Sequence, residues 1–230
     1  MKRSLRSFGS STPAPSVRGL DARSRPGPPG RALLSRRAFA APSPADFVRD
    51  ERAVKLSLVG GRGHLDRVVE AVKAAKVSVW IATANVKEML VERSRVGRRP
   101  IFGSILEVMN ELAQSGVELR LLHAELPSRP FRDELEKHPR LTKGGLQIRM
   151  CPRIHLKAVI VDGALLYLGS ANWTGAGLGA KSERNRNFEL GFVTEDEQML
   201  DEIQSLYEHL WNGGECVGCG RRQLCESPLR

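Results

Sequence analysis

The stretch Val77 to Ala84, VSVWIATA, is a nearly unbroken apolar run. A strand with one face in water alternates apolar and polar side chains; a run without that alternation belongs to a strand covered on both sides. The rest of the chain must therefore supply helices for two faces of a sheet. His64 to Lys76 puts Leu65, Val68, Val69 and Val72 on one helical face, Ile101 to Gln114 does the same with Ile105, Leu106, Met109 and Leu112, and Asp196 to Trp211 with Met199, Leu200, Ile203, Leu206 and Leu210. A short helix is expected near Phe131 to His138. Further strands are expected at Val54–Val59, Val117–His123, Leu146–Cys151, His155–Val161, Leu165–Leu168 and Phe188–Thr194. Strands alternating with helices predict an α/β fold, a mixed β-sheet flanked by helices. The stretch holding Arg93, Arg95, Arg98 and Arg99 reads as an exposed polar loop.

The chemistry is concentrated between His155 and Glu189. His155 and Lys157 are two residues apart on an expected strand, so both side chains leave one face. Two polar groups amid Leu156, Ala158, Val159, Ile160 and Val161 break the core pattern, and such breaks mark function. Asp162 ends that strand. After the next strand come Gly169, Ser170, Ala171 and Asn172, which add a hydroxyl and an amide, and Asn187-Phe188-Glu189 adds a carboxylate.

The spacing H-x-K-x4-D-x6-G-S-x-N, matched without a gap from His155 to Asn172, resembles the signature of the phospholipase D superfamily. The resemblance implies a phospholipase D-like fold with one motif copy per chain, and a phosphodiesterase that forms a phosphohistidine. His155 would be the nucleophile, since imidazole attacks phosphorus near neutral pH and splits one hard step into two. Lys157 and Asn172 would hold the non-bridging oxygens, with Ser170 assisting from the same turn. Glu189 would orient a histidine ring through its other nitrogen, and Asp162 would support the strand. That chemistry needs no catalytic metal. A leaving alkoxide needs an acid, which a second motif copy would provide; His64, His123, His138 and His209 all lack the following lysine. The expected answer is a homodimer with its active site on the two-fold axis.

Substrate is less constrained. Net charge is +10, but residues 1 to 50 carry +7 of it, leaving +3 for the remainder. A basic total is therefore weak evidence for nucleic acid. A metal-independent endonuclease acting on DNA or RNA is the first expectation, by resemblance to small single-motif members of the superfamily. A phospholipase D or phosphatidyltransferase is the alternative, with Trp173, Leu178 and Phe188 as an apolar rim. A third reading keeps the site as a noncatalytic phosphate- or nucleic-acid-binding module. Lys181, Arg184 and Arg186, in a loop with Gly175, Gly177 and Gly179, are candidate substrate-binding cations or simply a solvated run. Gly60-Gly61-Arg62-Gly63 lacks the third glycine of a dinucleotide loop and reads as a turn.

Residues 1–50, with seven prolines and ten Lys or Arg, cannot bury enough surface to offset their ordering entropy, and a disordered tail is expected. Ser35-Arg36-Arg37-Ala38-Phe39 resembles the start of a twin-arginine signal but is not followed by an apolar segment. A cytoplasmic protein is expected, or organellar import in a eukaryote. No run approaches the roughly 20 apolar residues of a membrane anchor. The catalytic domain is expected at 51–212, followed by a cysteine-rich tail at 213–230. There Cys216-x2-Cys219-x5-Cys225, joined by Cys151 or His209, has the spacing of a zinc knuckle. One structural zinc is a candidate reading of these cysteines, with reduced or disulfide-paired cysteines as the alternative.

Overall fold

The computed structural model describes residues 43–226, 228 and 229. The chain divides after Ala41, and all described residues belong to the second unit. The expected disordered tail lies, up to residue 42, outside the described residues. Residues 43–56 carry neither helix nor strand. They are tied to the domain where Arg52 Nη1 donates to Asp196 Oδ2 at 2.9 Å and Thr194 Oγ1 to the Lys55 carbonyl at 2.7 Å.

Seven strands form one sheet: β1 (Ser57–Gly60), β2 (Ser78–Thr83), β5 (Glu118–His123), β6 (Gln147–Met150), β7 (Ala158–Val161), β8 (Leu165–Gly169) and β9 (Leu190–Thr194). Their order is β1-β9-β8-β7-β2-β5-β6. β2, β5 and β6 run parallel, while β2-β7, β7-β8, β8-β9 and β9-β1 are antiparallel, so the sheet is mixed as expected. β2 is interior to the sheet, between β7 and β5. Its Val79 and Ile81 pack on one side, in a core completed by Val72, Leu106, Met109, Leu119, Leu121 and Val159. That side is covered by α1 (Glu70–Ala74), which continues a π-helical turn at Leu65–Val69, and by α2 (Ile105–Gln114). A short α3 (Arg129–Leu135) adds Phe131 to the same core.

The other side is covered by α4 (Glu197–Trp211), capped by the Asp196 carboxylate accepting from Met199 N at 2.9 Å. Trp80 stacks on Tyr207 at 5.3 Å, and the Arg120 guanidinium lies 4.4 Å above the Trp80 ring. Helix–sheet–helix layering thus follows from a strand that is apolar on both faces. Among the described residues, no helix is long and apolar enough to cross a membrane.

Two expectations need correction. The arginine-rich stretch is a two-stranded ribbon, β3 (Leu90–Val96) with β4 (Arg99–Ser104), closed by Gly97 at φ +60°. Ile101 to Gly103 therefore belong to a strand, and the helix begins only where Ser104 Oγ accepts from Leu106 N at 3.0 Å. A bulge between Glu92 and Ser94 shifts the two-residue period, which hides the strand from a pattern search. Likewise β7 begins at Ala158, so His155 and Lys157 sit on the extended segment just ahead of it.

Candidate active site

Strands β7, β8 and β9 lie side by side, and the ends of these strands bring most of the motif together. Ala158 pairs with Leu168 and Gly169 with Gly191, so the His155–Lys157 segment, the Gly169–Asn172 turn and the start of β9 meet at one edge. The glycine at 169 has a steric reason. A methyl group there would lie 2.7 Å from the Gly191 Cα and also strike the Tyr167 hydroxyl. That hydroxyl accepts a hydrogen bond from Ala171 N at 3.3 Å, and burial pushes its pKa up to about 12. Tyr167 is thus a buried pillar under the turn.

His155 is solvent-exposed, while Lys157 beside it is buried. The Lys157 Nζ lies 3.0 Å from each ring nitrogen of His155 and donates to the His155 carbonyl at 2.9 Å. Burial holds the lysine pKa below its ordinary value, with the Glu189 charge acting in the opposite direction.

Asn172 is fixed through its oxygen. Its Oδ1 accepts from Asn85 N at 3.2 Å and lies 3.2 Å from Thr83 Oγ1. The Thr83 hydroxyl also accepts from Trp173 N at 3.0 Å. With the oxygen so engaged, the Asn172 amide nitrogen is oriented away from these partners and has no hydrogen bond among the described residues. Thr83 and Asn85 were not singled out by the sequence reading. The available signal was a polar break at the C-terminal end of the apolar run at β2.

Glu189 bonds to the Ser170 hydroxyl through Oε2 and accepts from Asn187 Nδ2 at 3.0 Å through Oε1. Ser170 Oγ also accepts from Leu190 N at 3.1 Å. Within the one chain Glu189 makes no hydrogen bond to His155; its side-chain partners are Ser170 and Asn187. Asp162 is not brought to this group. At φ +56°, at the far end of β7, its carboxylate accepts from Lys76 N, Val77 N and Ser78 N at 2.7–3.0 Å. Burial raises its pKa, but the three backbone donors outweigh that and leave it depressed. Asp162 anchors the start of β2 and so acts on the site only through the sheet.

Lys181, Arg184 and Arg186 follow the turn in a loop tied down by Lys181 N to the Gly175 carbonyl and Asn187 N to the Ala176 carbonyl, both 3.0 Å. Among the described residues none of the three makes an ion pair or side-chain hydrogen bond. The expected apolar rim is largely lost: Trp173 and Leu178 are 2% and 1% exposed, in the core, and only Phe188 faces solvent.

The four cysteines, Cys151, Cys216, Cys219 and Cys225, line one cavity together with His155. Among the described residues, however, no three His, Cys, Asp or Glu side chains converge closely enough to hold a metal ion. The expected single zinc is corrected accordingly: four thiolates around one zinc must crowd within about 4 Å of each other, given Zn–S bonds of about 2.3 Å. His209, the alternative ligand, is engaged with Glu215 at 2.7 Å.

No curated protein matches the chain. Among solved structures it is similar to NucT from Helicobacter pylori, at 18% identity over 68% of this chain and 94% of that one, with a TM-score of 0.48. Nuc of Salmonella typhimurium, a phospholipase D family member, is similar at 18% identity over 69% and 95%, TM-score 0.48. Phosphatidylserine synthase of Haemophilus influenzae is similar at 16% identity over 68% and 38%, TM-score 0.45. Residues 68–211, more than half of the sequence, match the family described as cardiolipin synthase, phospholipase D-like domain, and the chain belongs to that phospholipase D-like family.

Proposed function

We propose that this protein hydrolyses phosphodiesters through a phosphohistidine, as a homodimer, with DNA or RNA as substrate and no metal in the reaction. The observation that carries the reading is the Lys157 ammonium 3.0 Å from both nitrogens of a solvent-facing His155. A phosphate approaching that ring meets a positive charge at the point of attack. Asn172, its oxygen held by Asn85 and Thr83, presents N–H donors to a non-bridging oxygen, and the Ser170 hydroxyl is held by Glu189. Asp162 is a supporting residue.

In the first step a ring nitrogen of His155 attacks phosphorus, and the bond to the leaving oxygen breaks as the N–P bond forms. The partner subunit's His155, protonated, gives its proton to the departing alkoxide. In the second step that ring, now neutral, takes a proton from water as the water oxygen attacks phosphorus. The N–P bond breaks, releasing a phosphomonoester and restoring both rings. The need for two rings at one phosphate supports a dimer, because the chain has one His-x-Lys pair. Exposed Phe188, Leu190 and Leu58 beside the site offer an apolar surface for a second copy.

Nucleic acid is favoured over lipid by two observations. The apolar rim has lost Trp173 and Leu178 to the core, and Lys181, Arg184 and Arg186 stand without partners among the described residues, ready for backbone phosphates. The phospholipase D or phosphatidyltransferase reading has one observation behind it, the largely apolar cavity bordered by His155.

The test is cleavage of a labelled single-stranded oligonucleotide in magnesium-free buffer by wild type and by His155→Ala, with acid-quenched protein assayed for histidine-bound phosphate. Cleavage and trapped phosphate are expected for wild type alone. Lipid turnover without oligonucleotide cleavage would transfer the assignment to the second reading. Oligonucleotide binding by both proteins with no turnover on any diester would leave a noncatalytic module.

A further inference from the structure

The β3–β4 ribbon has no place in the reaction just described, yet its root is built into the catalytic turn. Asn85, whose N–H holds the Asn172 oxygen, is followed by Val86, which pairs with Trp173, and by Lys87 N donating to the Trp173 carbonyl at 3.1 Å. Met89 is buried, and the ribbon starts at Leu90. It is braced on two sides. Lys73 Nζ, on α1, donates to the Glu92 carbonyl at 2.9 Å, and Arg93 bonds to Glu111 on α2. Between the ribbon and α1 lies a groove of about 580 Å³, lined by the helical segment 62–73, by residues 90–95 and 102, and by residues 180–182. That volume falls within the roughly 300–1,000 Å³ of ligand-sized clefts. Lys181 joins the groove to the site. The space over Gly175, three residues after Asn172, is filled by the Lys181 side chain and by Met89, each 3.6 Å from where a Cβ at that glycine would lie.

We propose that this groove and the ribbon hold an unpaired nucleic-acid strand running on from the scissile phosphate, an inference that rests on the nucleic-acid reading above. Glu92 pairs with Phe102 and Arg95 with Pro100, so Glu92, Arg95 and Phe102 share one face of the ribbon, and all three line the groove. Phe102 is 57% exposed. Arg95 Nη2 is held by a 3.0 Å bond to Oε2 of Glu92, the residue opposite that ring. An exposed aromatic ring with a guanidinium on the same face is a stacking platform for a base, and a base inside a duplex has no free face to offer it.

The charges agree. The carboxylates of the groove are neutralised locally: Asp66 by Arg62 at 3.5 Å, Glu70 by Lys73 at 2.8 Å, and Glu92 by Arg95. Lys181 has no acidic partner among the described residues, and neither have Arg98 and Arg99 at the ribbon tip. Uncompensated charge is therefore positive at both the root and the tip of the ribbon, where a run of phosphates meets it. A membrane is the poorer occupant. Val96 and Ile101 are 69% and 45% exposed, but the tip beyond them is Gly97-Arg98-Arg99, and its two charges would have to enter the apolar layer first. Because Lys73 and Arg93 fix the ribbon before binding, little ordering cost falls on the complex.

The experiment measures binding of a fluorescent single-stranded oligonucleotide to the full chain at several salt concentrations, in a His155→Ala background that prevents turnover. Adding Phe102→Ala should weaken binding at least about fivefold without changing its salt dependence, and Phe102→Trp should restore it. Adding Arg98→Ala with Arg99→Ala should make the slope of log affinity against log salt shallower by about 1 or more. Arg129→Ala, an exposed charge on α3, controls for loss of charge alone and should leave affinity and slope unchanged. All these side chains are exposed, so every variant should melt with its parent. A duplex of the same sequence should not respond to Phe102→Ala. Unchanged affinity in Phe102→Ala, or an unchanged slope in the double arginine variant, would overturn the ribbon's role even where wild type cleaves the oligonucleotide. Neither binding nor cleavage of any oligonucleotide would overturn it together with the nucleic-acid reading. Binding to phosphatidylcholine–phosphatidylglycerol vesicles in place of oligonucleotide, lost in Phe102→Ala, would overturn it in favour of a membrane.

Discussion

The Thr83 hydroxyl lies 3.2 Å from the Asn172 amide oxygen, linking the end of β2 to the turn after β8. If this contact aims the Asn172 amide at a phosphoryl oxygen, Thr83→Val should lower kcat about tenfold or more with a small change in KM. Thr83→Ser keeps the hydroxyl and should restore kcat. A Thr83→Ser enzyme as slow as Thr83→Val would assign the residue to packing instead.

The buried Lys157 ammonium titrates below the ordinary lysine value of about 10.4. If its charge is needed, kcat/KM should fall on the alkaline side below that pH. The Glu189 charge works against the shift, so Glu189→Gln should move the alkaline limb further down, on top of any loss in rate. An alkaline limb unmoved by Glu189→Gln would separate Lys157 from the profile.

Asp162 has a depressed pKa in the folded state. Its contribution to stability is fully present above the unfolded aspartate value of about 3.9 and is lost as pH falls through the folded value. Asp162→Asn tolerates the left-handed backbone but loses the charge. It should unfold about 1–2 kcal/mol more easily at neutral pH, allowing for solvent screening, and the gap should close in acid. Denaturant melts at several pH values read this directly.

A side chain at Gly169 meets both the Gly191 backbone and Tyr167. Gly169→Ala should cost about 1–3 kcal/mol and reduce turnover together with stability, because the Ser170 turn rides on that close approach. Thermal melts and steady-state rates on the same preparation check the coupling.

Phe188 projects fully into solvent next to Glu189. A charge there should disfavour a second copy, so Phe188→Asp is expected to run as a monomer by light scattering and to lose turnover while its melting temperature holds. A fully active monomer would refute the shared site.

How much of this was legible in the sequence depends on whether neighbours in the chain are neighbours in space. The unbroken apolar run at β2 implied a sheet covered on both sides, since exposed strands alternate. The His155–Lys157 spacing puts both side chains on one face of any extended segment, and although the strand proved shorter, the two remain in contact. The ribbon at Leu90–Ser104 stayed hidden because one bulge shifts its period and its arginines read as loop. Only the tertiary structure could bring Thr83 and Asn85 to Asn172, or show that Asp162 holds the backbone at the start of β2. It alone sent Trp173 into the core and grouped Cys151 with the tail cysteines around one cavity. Local spacing sets which side a residue faces, but distance between remote segments is decided by how the sheet and its helices pack.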